Sequence, residues 1–285
     1  MSLIIGIVGL PNVGKSSLFN ALTKSDAVVD NRPFSTINPN LGVVKLMDDR
    51  IDSLAKLVNP KTVTHATVKF LDIAGLVKGA SQGAGLGNKF LENIRGVDEI
   101  CLVVRAFRND NLISVLEGTN TDPIFEAEIV LCELIYADLD MVNNVMKKLK
   151  SNDPKMELLS RLKVHLEENN PVVNFFFADG EREMLKIYSF LTDKPMVLVA
   201  NTDDSDDSKK LLKHVEEYAK KLGVSYIDVN IKLEGEIDQL PEKDMKELLE
   251  AMGRDGTCLN NLVRLTFGKL KLGTFFTVGE KEVRA

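Results

Sequence analysis

The sequence predicts an α/β fold in which a mostly parallel sheet is covered by helices on both faces. One observation is a short apolar run over residues 2–8, followed by a glycine-bearing loop and a helical pattern over 16–23. A second observation is that later apolar runs, each bounded by turn residues, alternate with helical patterns. A third is one long helical segment that interrupts this alternation. The chain is therefore expected to form an α/β domain with a helical insertion.

The later elements follow from the same local patterns. Short apolar runs between turn residues are typical of strands buried in a parallel sheet, whereas apolar residues three or four positions apart are typical of helices. The predicted strands lie at 67–73, 100–104, 196–200 and 226–229, and the predicted helices include 208–222 and 242–252.

A helical hairpin is predicted where the alternation breaks. Apolar residues recur at helical spacing from Glu126 to about Leu149, residues 151–154 favour a turn, and the helical pattern resumes over 159–166. Within 141–165, six basic side chains stand against two acidic ones, so the local balance (6 − 2) is +4. Such a charge run is typical of a solvated helix face, and contact with RNA is the alternative interpretation.

Composition and charge exclude several classes of protein. The 36 Lys and Arg against 42 Asp and Glu give a net charge of −6, which argues against a general polyanion-binding protein. No run approaches the roughly 20 apolar residues that span a bilayer, and no basic segment precedes the first apolar run. The three cysteines are odd in number and far apart, as expected of reduced thiols. We therefore expect a cytoplasmic protein with no membrane partner, and we expect it to be a monomer.

Residues 9–16 (GLPNVGKS) match the phosphate-binding pattern G-x-x-x-x-G-K-[ST], between a predicted strand and a predicted helix. Glycines let backbone N–H groups surround phosphate oxygens, and the N-terminus of the following helix favours their negative charge. In this pattern Lys15 contacts the β- and γ-phosphates, and the Ser16 hydroxyl reaches Mg²⁺. The predicted nucleotide-binding residues of the loop are Asn12, Val13, Gly14, Lys15, Ser16 and Ser17.

Two further segments supply candidates for the metal and for the γ-phosphate. Asp72 ends the predicted strand at 67–73, where a carboxylate can hold Mg²⁺ through water, and the Gly75 N–H that follows can bind a γ-phosphate oxygen. Thr36 is a candidate switch residue that joins the metal when the γ-phosphate is present, and an ordinary loop threonine is the alternative. The predicted catalytic residues are Lys15, Thr36 and Gly75, and the predicted metal ligands are Ser16, Thr36 and Asp72.

A third motif follows the strand predicted at 196–200, where guanine-binding GTPases carry N-K-x-D. Here the residues are Asn201, Thr202, Asp203 and Asp204, and the lysine that normally stacks over the base is replaced by Thr202. A carboxylate at Asp204 can accept two N–H groups of guanine, whereas adenine would present a repelling lone pair. The predicted base-binding residues are Asn201, Thr202 and Asp204. The motif leaves ATP and GTP open as substrates, and Asp204 could equally belong to the acidic run 203–207.

Several segments of the chain resemble those of a known family of NTPases. The segments GLPNVGKSS (9–17), PFSTINPNLG (33–42) and DIAGLVKGASQGAGLGNKFL (72–91) resemble the Obg-related translation-factor P-loop NTPases. Residues 109–111 (NDN) and TFFTVGEKEVRA (274–285) narrow the resemblance to the YchF / Obg-like ATPase subfamily. The resemblance implies a P-loop core, a helical coiled-coil insertion, hydrolysis of ATP often in preference to GTP, and association with the ribosome.

The resemblance has three departures. Asp204 stands where the family usually has Glu, so the preference for adenine transfers only in part. Ser114 stands where the family usually has a histidine proposed to assist hydrolysis, which leaves the water-activating group unidentified. The family also continues beyond the position of Ala285 into a small TGS domain, so either the chain is truncated or this member lacks that module.

The expected organisation combines these inferences. Residues 1–128 and 196–271 are predicted to form the P-loop domain, 129–195 the coiled-coil insertion, and 272–285 a stub where a TGS domain would begin. The resemblance implies that the partner is the ribosome, at its large subunit, and the basic hairpin is the candidate contact with rRNA. Mg²⁺ is the expected cofactor, and the Asn12 amide either holds K⁺ against the phosphates or caps the loop.

The leading hypothesis is a Mg²⁺-dependent nucleoside triphosphatase that acts as a nucleotide-controlled switch on the ribosome. An alternative is a GTP-dependent nucleic-acid-binding regulatory protein in which hydrolysis is incidental, although the acidic charge and the absence of Trp count against it. A P-loop kinase of a small metabolite shares only the phosphate loop. It does not account for Thr36, for Asp72 with Gly75, or for the motif at 201–204.

Overall fold

The structure is a computed structural model of the 285-residue chain. Four residues singled out above, Thr36, Gly75, Ser114 and Asp204, lie outside the residues that it describes. The described residues are 3–25, 40–73, 86–108, 122–150, 152–203, 205–270 and 272–285.

Strands and helices alternate through most of the described chain. The strands are β1 (Ile4–Val8), β2 (Leu41–Lys45), β3 (Thr62–Thr64), β4 (Thr67–Asp72), β5 (Glu99–Arg105), β6 (Met196–Asn201), β7 (Ser225–Val229), β8 (Thr277–Val278) and β9 (Glu282–Arg284). The helices are α1 (Lys15–Ser25), α2 (Asp49–Val58), α3 (Leu86–Arg95), α4 (Pro123–Met146), α5 (Lys155–Glu167), α6 (Glu181–Leu185), α7 (Asp206–Leu222), α8 (Ile231–Ile237), α9 (Glu242–Ala251) and α10 (Cys258–Lys269). Three short 3₁₀ turns lie at 172–174, 186–188 and 191–193.

The main sheet has six strands in the order β2-β4-β1-β5-β6-β7. Every neighbouring pair is parallel except β2 with β4, which is antiparallel. All seven residues of β5 are buried, as expected of a central strand covered on both faces. The mostly parallel sheet predicted from the sequence is therefore confirmed, and β2 adds an antiparallel edge.

A second, small sheet joins distant parts of the chain. It has three strands in the order β3-β9-β8, with β3 parallel to β9 and β8 antiparallel to β9. The Thr64 hydroxyl donates to Glu282 Oε1 at 2.6 Å. Residues of the segment predicted as a stub, 272–285, thus form two strands that pair with each other, and the second of them, β9, also pairs with β3.

The helical insertion has a hydrophobic cluster of its own. The main core packs the sheet against its helices and includes Val130 and Leu134 of α4. Further along α4, Val142 belongs instead to the second cluster, together with Leu159 and Leu162 of α5. The helical hairpin predicted from periodicity is present as these two packed helices, whereas a coiled coil between them stays a prediction. The predicted boundary between 128 and 129 falls inside α4, so the division into domains also stays a prediction.

Local signals explain where the helices begin and end. Asp122 caps α4 by accepting from the N–H groups of Ile124 and Phe125, and Pro123 occupies the first turn. Ser205 caps α7 through the N–H of Ser208. None of the helices in the described segments is both long and apolar enough to cross a membrane.

Candidate functional site

The phosphate loop joins the carboxyl end of β1 to the first turn of α1. Gly9 lies so close to the carbonyl oxygen of Val103 on β5 that a Cβ would collide with it. Gly14 has φ +103°, and a Cβ there would collide with the side-chain amide of Asn201. Both glycines of the motif are therefore required by close approach, and the loop sits against the ends of β5 and β6.

Lys15 is folded into this loop. Its Nζ donates to the carbonyl oxygen of Leu10 at 2.7 Å, and the side chain is buried. Burial lowers the pKa of Lys15, whereas the negative charges of Asp72 and Glu126 oppose that shift. The ammonium is thus held within the loop, close enough to Asp72 and Glu126 to be stabilised by their negative charges.

Two of the predicted metal ligands meet next to Lys15. The Ser16 hydroxyl donates to Asp72 Oδ2 at 2.7 Å, across 56 residues of sequence. The other carboxylate oxygen, Asp72 Oδ1, is buried and has no hydrogen-bond partner among the described residues. A hydroxyl and a carboxylate with one unsatisfied oxygen are the donor set that Mg²⁺ accepts beside a phosphate loop, so the residues present fit that ion.

These two ligands do not form a closed metal cage. Within the described ranges, no group of three or more His, Cys, Asp or Glu side chains is arranged to hold a metal ion. A Mg²⁺ ion bound here would therefore rely on water and nucleotide phosphates for its remaining ligands, as Mg²⁺ sites commonly do.

A buried ion pair connects the site to the first turn of α4, the helix that continues into the predicted insertion. Glu126, in the first turn of α4, accepts from the backbone N–H of Arg105 at 2.8 Å and lies 3.8 Å from its Nε. Burial raises the pKa of Glu126, while the N–H and the positive charge of Arg105 oppose the shift. The long helix α4 is thereby attached to the carboxyl end of β5 beside the phosphate loop.

Asn201 joins the third motif to the phosphate loop. Its side-chain N–H donates to the carbonyl oxygen of Val13 at 3.0 Å, and the side chain is buried against Gly14. The contact brings together two motifs that the sequence separates by 188 positions. Asn201 therefore fixes the shape of the loop as well as lining the site.

The neighbouring carboxylate, Asp203, is engaged within the protein. Its Oδ1 accepts from the backbone N–H of Ser205 at 3.0 Å and from the Ser205 hydroxyl at 2.6 Å, and lies 2.5 Å from the Ser208 hydroxyl. Burial favours a higher pKa for Asp203, but these hydrogen bonds together hold it below its usual value. Asp203 thus shapes the turn that follows β6, while Thr202 is buried beside it.

A cavity of about 900 Å³ opens beside the phosphate loop, at the carboxyl ends of β1, β5, β6 and β7. This is the edge of a parallel sheet at which ligands of α/β folds bind. Its lining includes five of the predicted nucleotide-binding residues, namely Asn12, Gly14, Ser17, Asn201 and Thr202. The cavity is continuous with the loop and is large enough for the nucleoside of a bound nucleotide.

One wall of this cavity was not identified from the sequence. It is formed by α8 and the residues on either side of it, including Asn230, Lys232, Glu236 and Gln239. Phe107 and Arg108 contribute from the end of β5. The signal that could have found the wall is the position of 230–232 directly after the predicted strand 226–229, because this places them at the same edge of the sheet.

The predicted site residues other than the five named in the cavity lining divide into two groups. Lys15, Ser16 and Asp72 come together at the phosphate loop, and Val13 contacts Asn201. Thr36, Gly75 and Asp204 lie outside the described residues, so their roles stay predictions.

Comparison with known proteins agrees with this geometry. A family model described as a 50S ribosome-binding GTPase matches residues 4–132. The chain is 42% identical over 297 residues to the ribosome-binding ATPase YchF of Bacillus subtilis (strain 168), covering 100% of this chain and 81% of that relative. This chain belongs to the YchF family. The YchF protein of Escherichia coli O157:H7 is also 42% identical, over 289 residues that cover 98% of this chain and 79% of the relative.

The fold agrees with the same family. The solved structure of the Schizosaccharomyces pombe YchF GTPase superposes with a TM-score of 0.83 at 31% sequence identity, covering 99% of this chain and 79% of that one. The predicted membership of the YchF family and the predicted P-loop fold are both confirmed. With its phosphate loop and this membership, the chain is a P-loop enzyme that hydrolyses nucleoside triphosphates.

Proposed function

We propose that this YchF-family chain is a Mg²⁺-dependent nucleoside triphosphatase whose bound nucleotide controls its association with the ribosome. The observation that carries the proposal is the hydrogen bond between Ser16 and Asp72, which brings two predicted metal ligands to the phosphate loop. The unsatisfied Asp72 Oδ1 supports metal binding in particular, because a buried carboxylate oxygen without a partner is costly. The cavity beside the loop supports a nucleotide over a simple phosphate ion.

The phosphate loop holds the triphosphate in this proposal. Backbone N–H groups of residues 12–17 and the N-terminus of α1 bind phosphate oxygens, and Lys15 neutralises charge on the β- and γ-phosphates. Mg²⁺ is held by Ser16, Asp72 and, with the γ-phosphate present, Thr36. When bound, it stabilises negative charge on the phosphate oxygens. We also propose that the Gly75 N–H binds the γ-phosphate, and that Asn12 is the residue to examine for K⁺.

The base is proposed to lie in the cavity near Asn201, Thr202 and Asp204. The bacterial relatives are named ATPases and the Schizosaccharomyces pombe relative is named a GTPase, so both nucleotides are candidates.

A competition titration decides between ATP and GTP: a fluorescent nucleotide is bound in Mg²⁺ buffer and displaced by ATP or by GTP. Tighter ATP by about tenfold (about 1.4 kcal/mol) would mean that an adenine preference survives with Asp204. Tighter GTP by the same factor would make the chain a GTPase, and displacement by neither would overturn the proposal.

The ribosome is the proposed partner, and the tip of the helical hairpin is the proposed contact with rRNA of the large subunit. The relative from Bacillus subtilis is named ribosome-binding, and the matching family model is described by the 50S subunit. Among the basic residues of the hairpin, Arg161 and Lys163 form ion pairs with Glu181 and Glu167. The lysines at the end of α4 and in the turn that follows are exposed and have no ion pair among the described residues, namely Lys147, Lys148 and Lys150.

A co-sedimentation experiment tests this surface. Replacing Lys147, Lys148 and Lys150 together with Ala should reduce binding to ribosomes and flatten its dependence on salt, because fewer phosphate charges are then neutralised. The matched control replaces three exposed lysines of α7 with Ala, namely Lys213, Lys220 and Lys221. Equal binding by the two triple variants would remove the hairpin tip from the proposal.

The proposal also covers the domain organisation, the oligomeric state and the location of the chain. The division into a P-loop domain, a coiled-coil insertion at 129–195 and a C-terminal segment at 272–285 is supported by the second hydrophobic cluster between α4 and α5. We also propose that the chain is a monomer and acts in the cytoplasm, which is consistent with a nucleotide switch on the ribosome.

A further inference from the structure

Helix α8 forms one wall of the nucleotide cavity although it has only seven residues. Isolated helices of this length are not stable in water, so surrounding contacts must hold it in place. Its N-cap residue Asn230 accepts from the N–H of Leu233 at 3.1 Å, and Ile231 and Ile237 are buried. On the cavity side, Lys232, Gly235 and Glu236 face the space where the nucleoside is proposed to bind.

A buried carboxylate on the same helix supplies the polar part of this support. Glu234 is only 1% exposed. Its Oε1 accepts from Arg254 Nη1 at 3.2 Å, and its Oε2 accepts from the backbone N–H of Leu259 at 3.3 Å. Glu234 is not among the residues that line the cavity, so its contacts stabilise the side of α8 that faces away from the cavity.

Arg254 and Leu259 belong to different neighbouring segments, and the Cys258 thiol at the start of α10 also hydrogen-bonds Glu234. Leu259 lies in the first turn of α10, where backbone N–H groups lack intrahelical partners and favour a negative charge. Arg254 lies between α9 and α10 and is about one third exposed. One carboxylate thus ties α8 both to the start of α10 and to the loop before it.

A buried carboxylate is costly unless it is fully paired, so removing either its charge or its partner should move the helix that carries it. The phosphate loop has supports of its own, because Asn201 contacts Val13 and Gly14 and the Leu10 carbonyl holds Lys15, although Ile231 of α8 also packs beside Gly14. A displaced α8 should therefore weaken binding of the nucleoside much more than binding of the phosphate chain.

We infer that Glu234 is a positioning residue that sets the wall of the nucleotide cavity and thereby determines affinity for the nucleoside part of the substrate. The inference rests on the proposed function, in which the base and ribose lie in this cavity. Glu234 acts through α8 and contacts no part of the nucleotide itself.

The test compares two probes on the full chain: a fluorescent ATP or GTP analogue, and inorganic tripolyphosphate, which has the phosphates without the nucleoside. Glu234→Gln should weaken the nucleotide analogue by about tenfold while tripolyphosphate affinity changes by less than about twofold. The KM for hydrolysis should rise by the same factor, with kcat at saturating nucleotide changed by less than about twofold.

Two further variants keep the inference falsifiable if Glu234→Gln folds poorly. Arg254→Gln removes the partly exposed partner and should produce the same separation of the two probes to a smaller degree. Glu247→Gln removes an exposed ion pair with Lys243 on α9 and should bind both probes as the wild type does.

Nucleotide binding within about twofold of wild type in both Glu234→Gln and Arg254→Gln would overturn the inference. Equal loss of nucleotide and tripolyphosphate would also overturn it, because Glu234 would then support the whole domain. Failure of the proposed function gives a different result: the wild type itself would bind the nucleotide no better than tripolyphosphate, and both proposals would fall.

Discussion

Gly14 carries two constraints at one residue of the phosphate loop. Its φ of +103° lies where L side chains are rarely found, and a Cβ would collide with the amide of Asn201. Gly180 offers a matched comparison, because its φ is +81° but nothing lies within 4 Å of a Cβ built there. The two positions therefore separate backbone strain from collision with the third motif.

We predict that Gly14→Ala lowers nucleotide affinity by at least about tenfold, because Asn201 must move and the loop loses its shape. Gly180→Ala should leave nucleotide affinity unchanged and lower the free energy of unfolding by about 1 kcal/mol. Titration with a fluorescent nucleotide and denaturant unfolding measure the two quantities. Normal nucleotide binding by Gly14→Ala would contradict the described contact between the loop and Asn201.

Glu99 is a second residue whose environment has a measurable consequence. It begins β5, is completely buried, and neither carboxylate oxygen has a hydrogen-bond partner among the described residues. Burial raises the pKa of Glu99 to about 8, and the positive charge of Lys269 only partly opposes the shift. The folded chain therefore keeps this proton up to about pH 8, whereas the unfolded chain releases it near the ordinary glutamate pKa of 4.5.

Between these two pH values the folded state binds more protons than the unfolded state, so stability falls as pH rises. We predict that Glu99→Gln removes this part of the fall and is more stable than the wild type at pH 8.5 by at least about 1 kcal/mol. Denaturant unfolding from pH 5 to pH 8.5 measures it, with Glu92→Gln on the exposed side of α3 as control. Parallel pH curves for wild type and Glu99→Gln would contradict the burial of an ionisable Glu99.

At the scale of elements, the Asp138 carboxylate joins α4 to the 3₁₀ turn at 191–193, near the end of the predicted insertion. Asp138 is completely buried and accepts from the N–H groups of Leu191 and Thr192, both at 2.8 Å, and from the Thr192 hydroxyl at 2.7 Å. Burial raises the pKa of Asp138 to about 6, and these three donors oppose the shift. The contact fixes the 3₁₀ turn at 191–193 directly before β6 enters the sheet.

We predict that Asp138→Ala lowers the free energy of unfolding by about 3 kcal/mol, because two buried N–H groups lose their acceptor. Asp140→Ala, two residues along the same helix but exposed, should change it by less than about 0.5 kcal/mol. Urea unfolding of the two variants at pH 7.5 is the measurement. Equal stabilities would mean that the turn at 191–193 is held by other contacts.

About half of the strands and helices were predicted, because their sequence patterns are local. The strands β1, β4, β5, β6 and β7 and the helices α1, α4, α5, α7 and α9 coincide with apolar runs or helical periodicity in the sequence. The short strands of the second sheet were not predicted, because β3, β8 and β9 have two or three residues each and depend on pairing between distant segments. The antiparallel edge strand β2 was also missed, since its sequence LGVVK is short and only half-buried.

Part of the candidate site was also predictable from the sequence. The phosphate loop and Asp72 are recognisable because residue type and spacing carry their chemistry. The wall formed by α8 was not, because the seven residues IKLEGEI lack a long periodic pattern and their buried Glu234 reads as an ordinary surface residue. The contact between Gly14 and Asn201 also required the three-dimensional structure.

At the scale of the whole molecule, the residues of the candidate site lie together at one edge of the sheet. The carboxyl ends of parallel strands bring the phosphate loop, Asp72, Asn201 and the α8 wall around one cavity. Helix α4 begins at this edge, through the contact of Glu126 with Arg105, and its 24 residues extend about 36 Å to the basic tip. The fold thus offers a direct mechanical connection between the proposed nucleotide site and the proposed ribosome contact.

The measurement that tests the central claim most directly is phosphate release from ATP and from GTP, with Mg²⁺ and with EDTA. The wild type should release phosphate only with Mg²⁺. Asp72→Asn should reduce the rate at least about tenfold, because the metal loses a charged ligand, whereas Asp52→Asn on the exposed face of α2 should behave as the wild type. Phosphate release that persists in EDTA, or that is equally fast in Asp72→Asn, would contradict a Mg²⁺-dependent triphosphatase at this loop.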